Sequence, residues 1–111
     1  MSISCNFNLK KALELACKYP AIRRVGVFGS FARGDFDEHS DLNVLYDYDE
    51  ANENATDQLL DYIEEVDGLL KECTSAIHID YVWYQGVLDS ENEKMRENVL
   101  GEIIWIYQRK E

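Results

Sequence analysis

The stretch Val25–Tyr48, VGVFGSFARGDFDEHSDLNVLYDY, decides how the rest of the chain is read. An apolar run with a β-branched bias (Val25, Val27, Phe28) stops at Gly29-Ser30. A short segment, Phe31-Ala32-Arg33-Gly34, follows, then an acidic turn from Asp35 to His39, and an extended segment resumes at Ser40. This order predicts a strand, a phosphate-cradling turn and a second strand that carries metal ligands. Glycine at 29 admits positive φ and a close approach of backbone to ligand. Ser30 is a good N-cap, and a helix starting there turns unpaired N–H groups and a partial positive charge toward phosphate. Along the second strand, alternation puts Asp41, Asn43, Leu45 and Asp47 on one face and Leu42, Val44, Tyr46 and Tyr48 on the other. Residues two apart on a strand lie roughly 6.5–7 Å apart at Cα, so both side chains can reach one hard cation or a pair. Oxygen ligands held this way suit magnesium, which keeps waters and substrate phosphates in its shell.

The bulk properties bound the rest. A chain of 111 residues is read as one domain, 1–111, with a single modest core. Hydrophobic residues at 46% and aromatics at 12% are values of a globular protein. A net charge of −11 argues against nucleic acid, which calls for a basic stripe, and against anionic membrane surfaces. Magnesium-bound ATP remains compatible, because the metal offsets local repulsion. Three widely spaced cysteines (Cys5, Cys17, Cys73) read as free thiols in a reducing cytosol. The N-terminus lacks the apolar core of a signal peptide, and no run approaches the ~18 apolar residues of a membrane span. The expected location is therefore cytoplasmic.

Outside the central stretch, helical spacing predicts a first helix from about Asn8 to Tyr19, ended by Pro20. A long helix is expected from Ala55 to Cys73, with Leu59, Leu60, Ile63, Val66 and Leu70 as its buried stripe and Gly68 as an early end or kink. A third strand is expected over Ala76–Tyr84, with His78, Asp80, Val82 and Tyr84 on one face. Carboxylates are almost never buried in an apolar strand without a partner. Asp80 is therefore either a strand-end residue in water or a neighbour of Asp41 and Asn43 on an adjacent strand. Gly86–Ser90 reads as a turn, with Ser90 and Glu93 as the capping box of a helix over Glu91–Leu100 that Gly101 ends. Glu102–Tyr107 reads as a buried strand, and Tyr81, Trp83, Trp105 and Tyr107 as core. The first two strands are joined too directly for a parallel crossover containing a full helix, so they are expected to run antiparallel or mixed. The fold class is α/β, a small mixed β-sheet with helices packed against it.

The pattern Gly29-Ser30-x-Ala32-Arg33-Gly34, five residues, then Ser40-Asp41 resembles the signature of the DNA polymerase beta-like nucleotidyltransferases. It is most similar to their smallest members, the minimal nucleotidyltransferase (MNT) domains often encoded beside HEPN proteins. The resemblance covers most of the chain and implies the nucleotidyltransferase fold, ATP as substrate and two magnesium ions. It implies that Gly29, Ser30 and Arg33 bind nucleotide, although Arg33 can instead pair with a loop acid. Asp41 and Asp80 are the implied catalytic residues, and Asp41, Asn43 and Asp80 the implied metal ligands, which favours the adjacent-strand reading of Asp80. Where the family carries Asp-x-Asp, this chain has Asp41-Leu42-Asn43. Asparagine keeps an oxygen donor and loses the charge, so a weakened metal site is expected.

Three functions follow from the resemblance. One is transfer of AMP from ATP to a hydroxyl on a HEPN-like helical partner. Another is a catalytically degenerate, antitoxin-like binding module, which Asn43 favours. The last is modification of a small molecule, in the manner of antibiotic nucleotidyltransferases, which carry a helical domain that has no counterpart here. A homo-oligomer is left open.

Overall fold

Pro20 holds Tyr19 in extended backbone (φ −118°, ψ 97°), and the chain turns there from its first helix into the sheet. The computed structural model describes residues 3–35, 41–73 and 78–109, with the side chains of residues 3–8 and 73 outside that description. Helix α1 (Ile3–Glu14) tightens into a 3-10 turn (Leu15–Lys18), so it starts earlier than the apolar spacing indicates. Strand β1 (Ile22–Phe28) leads through Gly29 into the one-turn helix α2 (Ser30–Arg33). Then come β2 (Leu42–Tyr48), α3 (Ala55–Cys73), β3 (Ile79–Trp83), α4 (Tyr84–Leu88), α5 (Glu93–Glu102) and β4 (Ile104–Gln108). The expected acidic turn beyond Asp35, with Ser40, and the start of the third strand at Ala76 and Ile77 lie outside the described residues.

The sheet has the order β3-β2-β1-β4. β1 runs antiparallel to both β2 and β4, and β2 parallel to β3, so the sheet is mixed as the sequence predicts. The parallel pair requires a long crossover, and the 19-residue α3 supplies it. On one face the fully buried Leu13, Ile22, Val25, Val44, Val66 and Leu70 form the main core under α1 and α3. Tyr62 is buried with them, and its hydroxyl donates to the Leu13 carbonyl at 2.7 Å. Tyr62, not Leu60, completes the buried stripe of α3, for Leu60 is 60% exposed. On the other face α4 and α5 cover a smaller cluster of Leu45, Val87 and Val99, with Phe28, Val82 and Trp105 against it.

The third and fourth strands depart most from expectation. Tyr84 opens helix α4 where a strand end and turn are predicted. Asn92, not Ser90, caps α5, its side chain accepting from Met95 N at 3.0 Å. Ser90 Oγ instead accepts from Asn92 N. Gly101 does not end α5, which runs on to Glu102. β4 is an edge strand, and Ile104 is 47% exposed rather than buried. Trp83, Trp105, Tyr81 and Tyr107 are half-buried rather than fully core.

Candidate active site

The site is assembled where β1 gives way to α2 and where β2 and β3 begin. Gly29 takes φ +79°, a conformation that disfavours a side chain, and occupies the N-cap position of α2. Ser30 is thus the first helical residue and not the cap expected of it, and no side chain caps the turn. Gly34, at φ +85°, closes α2 by donating its N–H to the Ser30 carbonyl at 2.9 Å. The first N–H groups of any helix have no acceptor within it, so this tight turn offers backbone donors beside a glycine.

Strand pairing brings the other candidates to the same place. Phe28 faces Asn43 across the antiparallel ladder, so Gly29 lies against the Asn43 side chain. A Cβ added at Gly29 would meet Asn43 Nδ2 at 2.8 Å. In the parallel ladder Asn43 is in register with Asp80, and neighbouring strands are spaced about 4.8 Å apart. Asp41 precedes β2 on the same side as Asn43 and is exposed. The structure thus gathers Gly29, Ser30, Asn43 and Asp80, with Asp41 at the open end of β2. Asp80 is 47% exposed, and its Oδ1 lies 2.8 Å from His78 Nε2.

Among the described residues no group of three or more His, Cys, Asp or Glu side chains gathers as a metal cluster. The expected ligands Asp41, Asn43 and Asp80 would offer two carboxylates and one amide oxygen. Those donors fit a hard divalent ion that keeps water and phosphate oxygens in its shell, with less charge than three carboxylates would give.

Arg33 is engaged by two carboxylates. Its Nε lies 3.1 Å from Asp35 and its Nη1 2.8 Å from Glu102 of α5. Both carboxylates, by accepting its hydrogen bonds, hold the guanidinium pKa above its ordinary value. The loop-acid pairing weighed for Arg33 is therefore present, and a second acid, which no motif marks, joins it. Asp47 shares the site's sheet face but is bound to Arg24, whose Nη2 is 3.0 Å away. The Arg24 guanidinium also lies over the Tyr84 and Trp105 rings, 4.6 Å and 4.3 Å from their centroids. This pins α4 and β4 to the sheet and leaves Asp47 out of the site.

Sequence reasoning missed one feature. A cleft of 360 Å³ opens between the Gly29 turn and α5, with Phe28 and Val99 in its floor and Lys94, Asn98 and Glu102 on its α5 side. The nucleotidyltransferase-like signature does not reach α5, and only the folded chain brings that helix beside Gly29.

The nucleotidyltransferase domain family matches residues 9–106. The chain belongs to this family, and so to the transferases. It is similar to a protein adenylyltransferase, MntA, of Thermococcus cleftensis, with 31% identity over 85 residues, which is 77% of this chain and 75% of that one. It is also 32% identical over 66 residues to a Methanocaldococcus jannaschii protein provisionally described as a protein adenylyltransferase. That match takes 55% of this chain and spans just under two thirds, 66%, of the relative. A solved structure provisionally described as a minimal nucleotidyltransferase superposes with a TM-score of 0.62 at 30% identity, covering 91% of each chain. The MntA–HpeT toxin–antitoxin structure shares the fold, with a TM-score of 0.58 at 13% identity over 92% of this chain and 74% of that one. In the described residues no helix is long and apolar enough to cross a membrane.

Proposed function

We propose that this domain transfers AMP from ATP to a hydroxyl of a protein partner, a helical HEPN-type toxin, by a two-metal mechanism. The observation that carries the reading is the register of Asn43 with Asp80, directly beside Gly29. The similarity to a protein adenylyltransferase gives the acceptor class. Gly29 and Ser30 bind the β- and γ-phosphates through the α2 turn. Asp41, Asn43 and Asp80 would face the α-phosphate and would hold magnesium. When bound, magnesium lowers the pKa of the attacking hydroxyl and neutralises charge on the triphosphate. The Asp80 carboxylate takes the hydroxyl proton. The acceptor oxygen bonds to Pα as the Pα–O–Pβ bond breaks, and its electron pair leaves with pyrophosphate. Arg33 orients α2 through Asp35 and Glu102.

Asn43 favours a second reading, in which the domain acts by binding its partner without transfer. The two readings separate on label transfer from α-phosphate-labelled ATP, with magnesium or manganese, to the co-purified partner. Label from the natural protein is expected on the first reading. Label from Asn43→Asp alone would establish the second, with a weakened metal site as its cause. A partner that forms the complex yet takes no label from either protein would end the transferase reading.

A further inference from the structure

The cleft beside Gly29 is lined by Lys94, an exposed cation without an ion pair among the described residues. The chain carries 22 acidic residues against 11 basic ones, and its described basic side chains are nearly all engaged. Lys10, Lys18, Lys71, Arg23, Arg24 and Arg33 each lie against a carboxylate. Arg96 and Arg109 donate to backbone carbonyls. Lys94, in the first turn of α5, has no such partner among the described residues, although Glu102 lines the same cleft. Glu102, eight residues further along α5, is taken by Arg33 at 2.8 Å, and the nearer Glu91, Glu93 and Glu97 are exposed. An unpaired ammonium beside a glycine turn, in a chain this acidic, is matched to an anion.

The topology says which anion. If Pα lies at Asn43 and Asp80, on β2 and β3, and the next phosphates rest on the turn after β1, the phosphate chain runs across the sheet from β3 toward β4. α5 leads into β4, which pairs with β1, and the cleft is lined by Gly29 and by α5 rather than by Asn43. We infer that Lys94 binds the terminal phosphate of the bound triphosphate, and then the departing pyrophosphate, in the cleft between the Gly29 turn and α5. The inference rests on the transferase reading above. Lys94 is a compact point charge on a flexible stem, which lets it follow pyrophosphate outward as the Pα–O–Pβ bond breaks. Asn98, exposed on the same wall, supplies amide donors for the same oxygens.

The test is calorimetric binding of α,β-methylene ATP, AMP and inorganic pyrophosphate, each with magnesium, to the natural protein, Lys94→Met, Lys94→Arg and Lys71→Met. Lys71→Met removes the same charge from a lysine that pairs with Asp67 elsewhere on α3. Loss of one charge-assisted contact is expected to weaken the ATP analogue and pyrophosphate about tenfold in Lys94→Met. AMP should be unaffected, Lys94→Arg should retain most of the affinity, and Lys71→Met should bind as the natural protein does. Equal affinity of Lys94→Met and the natural protein for the analogue would overturn the inference and leave the transferase reading standing. Equal losses in Lys94→Met and Lys71→Met would overturn it as well, since only net charge would then matter. If the natural protein binds none of the three ligands, the inference falls together with the transferase reading.

Discussion

At the scale of single residues, Gly29 and Asn43 form one unit. The glycine keeps φ positive, and its missing Cβ leaves room for the Asn43 amide 2.8 Å from where that carbon would lie. Gly34 also has positive φ, but nothing among the described residues lies within 4 Å of its Cβ position. Gly29→Ala and Gly34→Ala should therefore each cost about 1–2 kcal/mol of stability from backbone strain, read as a shift in the urea midpoint. Only Gly29→Ala should also weaken magnesium-dependent nucleotide binding, because only there does the new carbon displace Asn43. Much of this unit was legible in the sequence. Strand alternation alone places Asp41 and Asn43 on one side and gives Asp80 a face, and Gly29-Ser30 marks the tight turn after β1. The place of Lys94 was not legible, because only the folded chain sets α5 beside the Gly29 turn. Ser30 was misassigned as a cap because Gly29, with no side chain to signal the role, occupies that position.

At the scale of elements, the glycines separate helix interior from strand contact. Gly68 and Gly101 lie within α3 and α5 with nothing among the described residues within 4 Å of a Cβ there, although the sequence reads both as helix ends or kinks. Glycine stops a helix when the backbone needs the left-handed cap, and at neither position does it take that conformation. Gly68→Ala and Gly101→Ala should each stabilise the protein by about 0.5–1 kcal/mol, seen as a higher melting temperature. Gly26 is the opposite case. A Cβ there would meet the Ile104 carbonyl of β4 at 2.7 Å and the Trp105 ring at 3.1 Å. Gly26→Ala should cost about 1–3 kcal/mol by prising β4 from β1, with the loss of protection read by hydrogen exchange at Ile104–Gln108. The boundaries of α3 were legible because its apolar stripe is long and periodic. α4 was not, since its five residues, YQGVL, read as the end of a strand and a turn and become helical only over the Leu45–Val87 cluster.

At the scale of the whole molecule, surface carboxylates tie the 3-10 turn to α3. Glu65 accepts from Lys18 Nζ at 2.6 Å and from the Tyr19 hydroxyl, and these bonds hold its pKa below the ordinary carboxylate value. The same bond to Glu65, with burial, pushes the Tyr19 hydroxyl up to about 12. Asp67 is likewise lowered, by Lys71 first and then by Tyr81. A carboxyl whose folded pKa is depressed stabilises the fold above its unfolded pKa, about 4, and loses that contribution as pH falls through the folded value. The melting temperature should therefore fall on acidification below about pH 4. Glu65→Gln should melt lower at pH 7 and show a flatter acid limb. The most direct test of the account is the magnesium-dependent binding of a non-hydrolysable ATP analogue to the natural protein, Asn43→Asp and Asp41→Ala, measured by calorimetry at fixed salt. The account predicts affinity about tenfold tighter for Asn43→Asp, on the scale of one added charged contact, and none detectable for Asp41→Ala. Equal affinity in all three proteins would contradict the placement of metal and nucleotide between Gly29, Asn43 and Asp80.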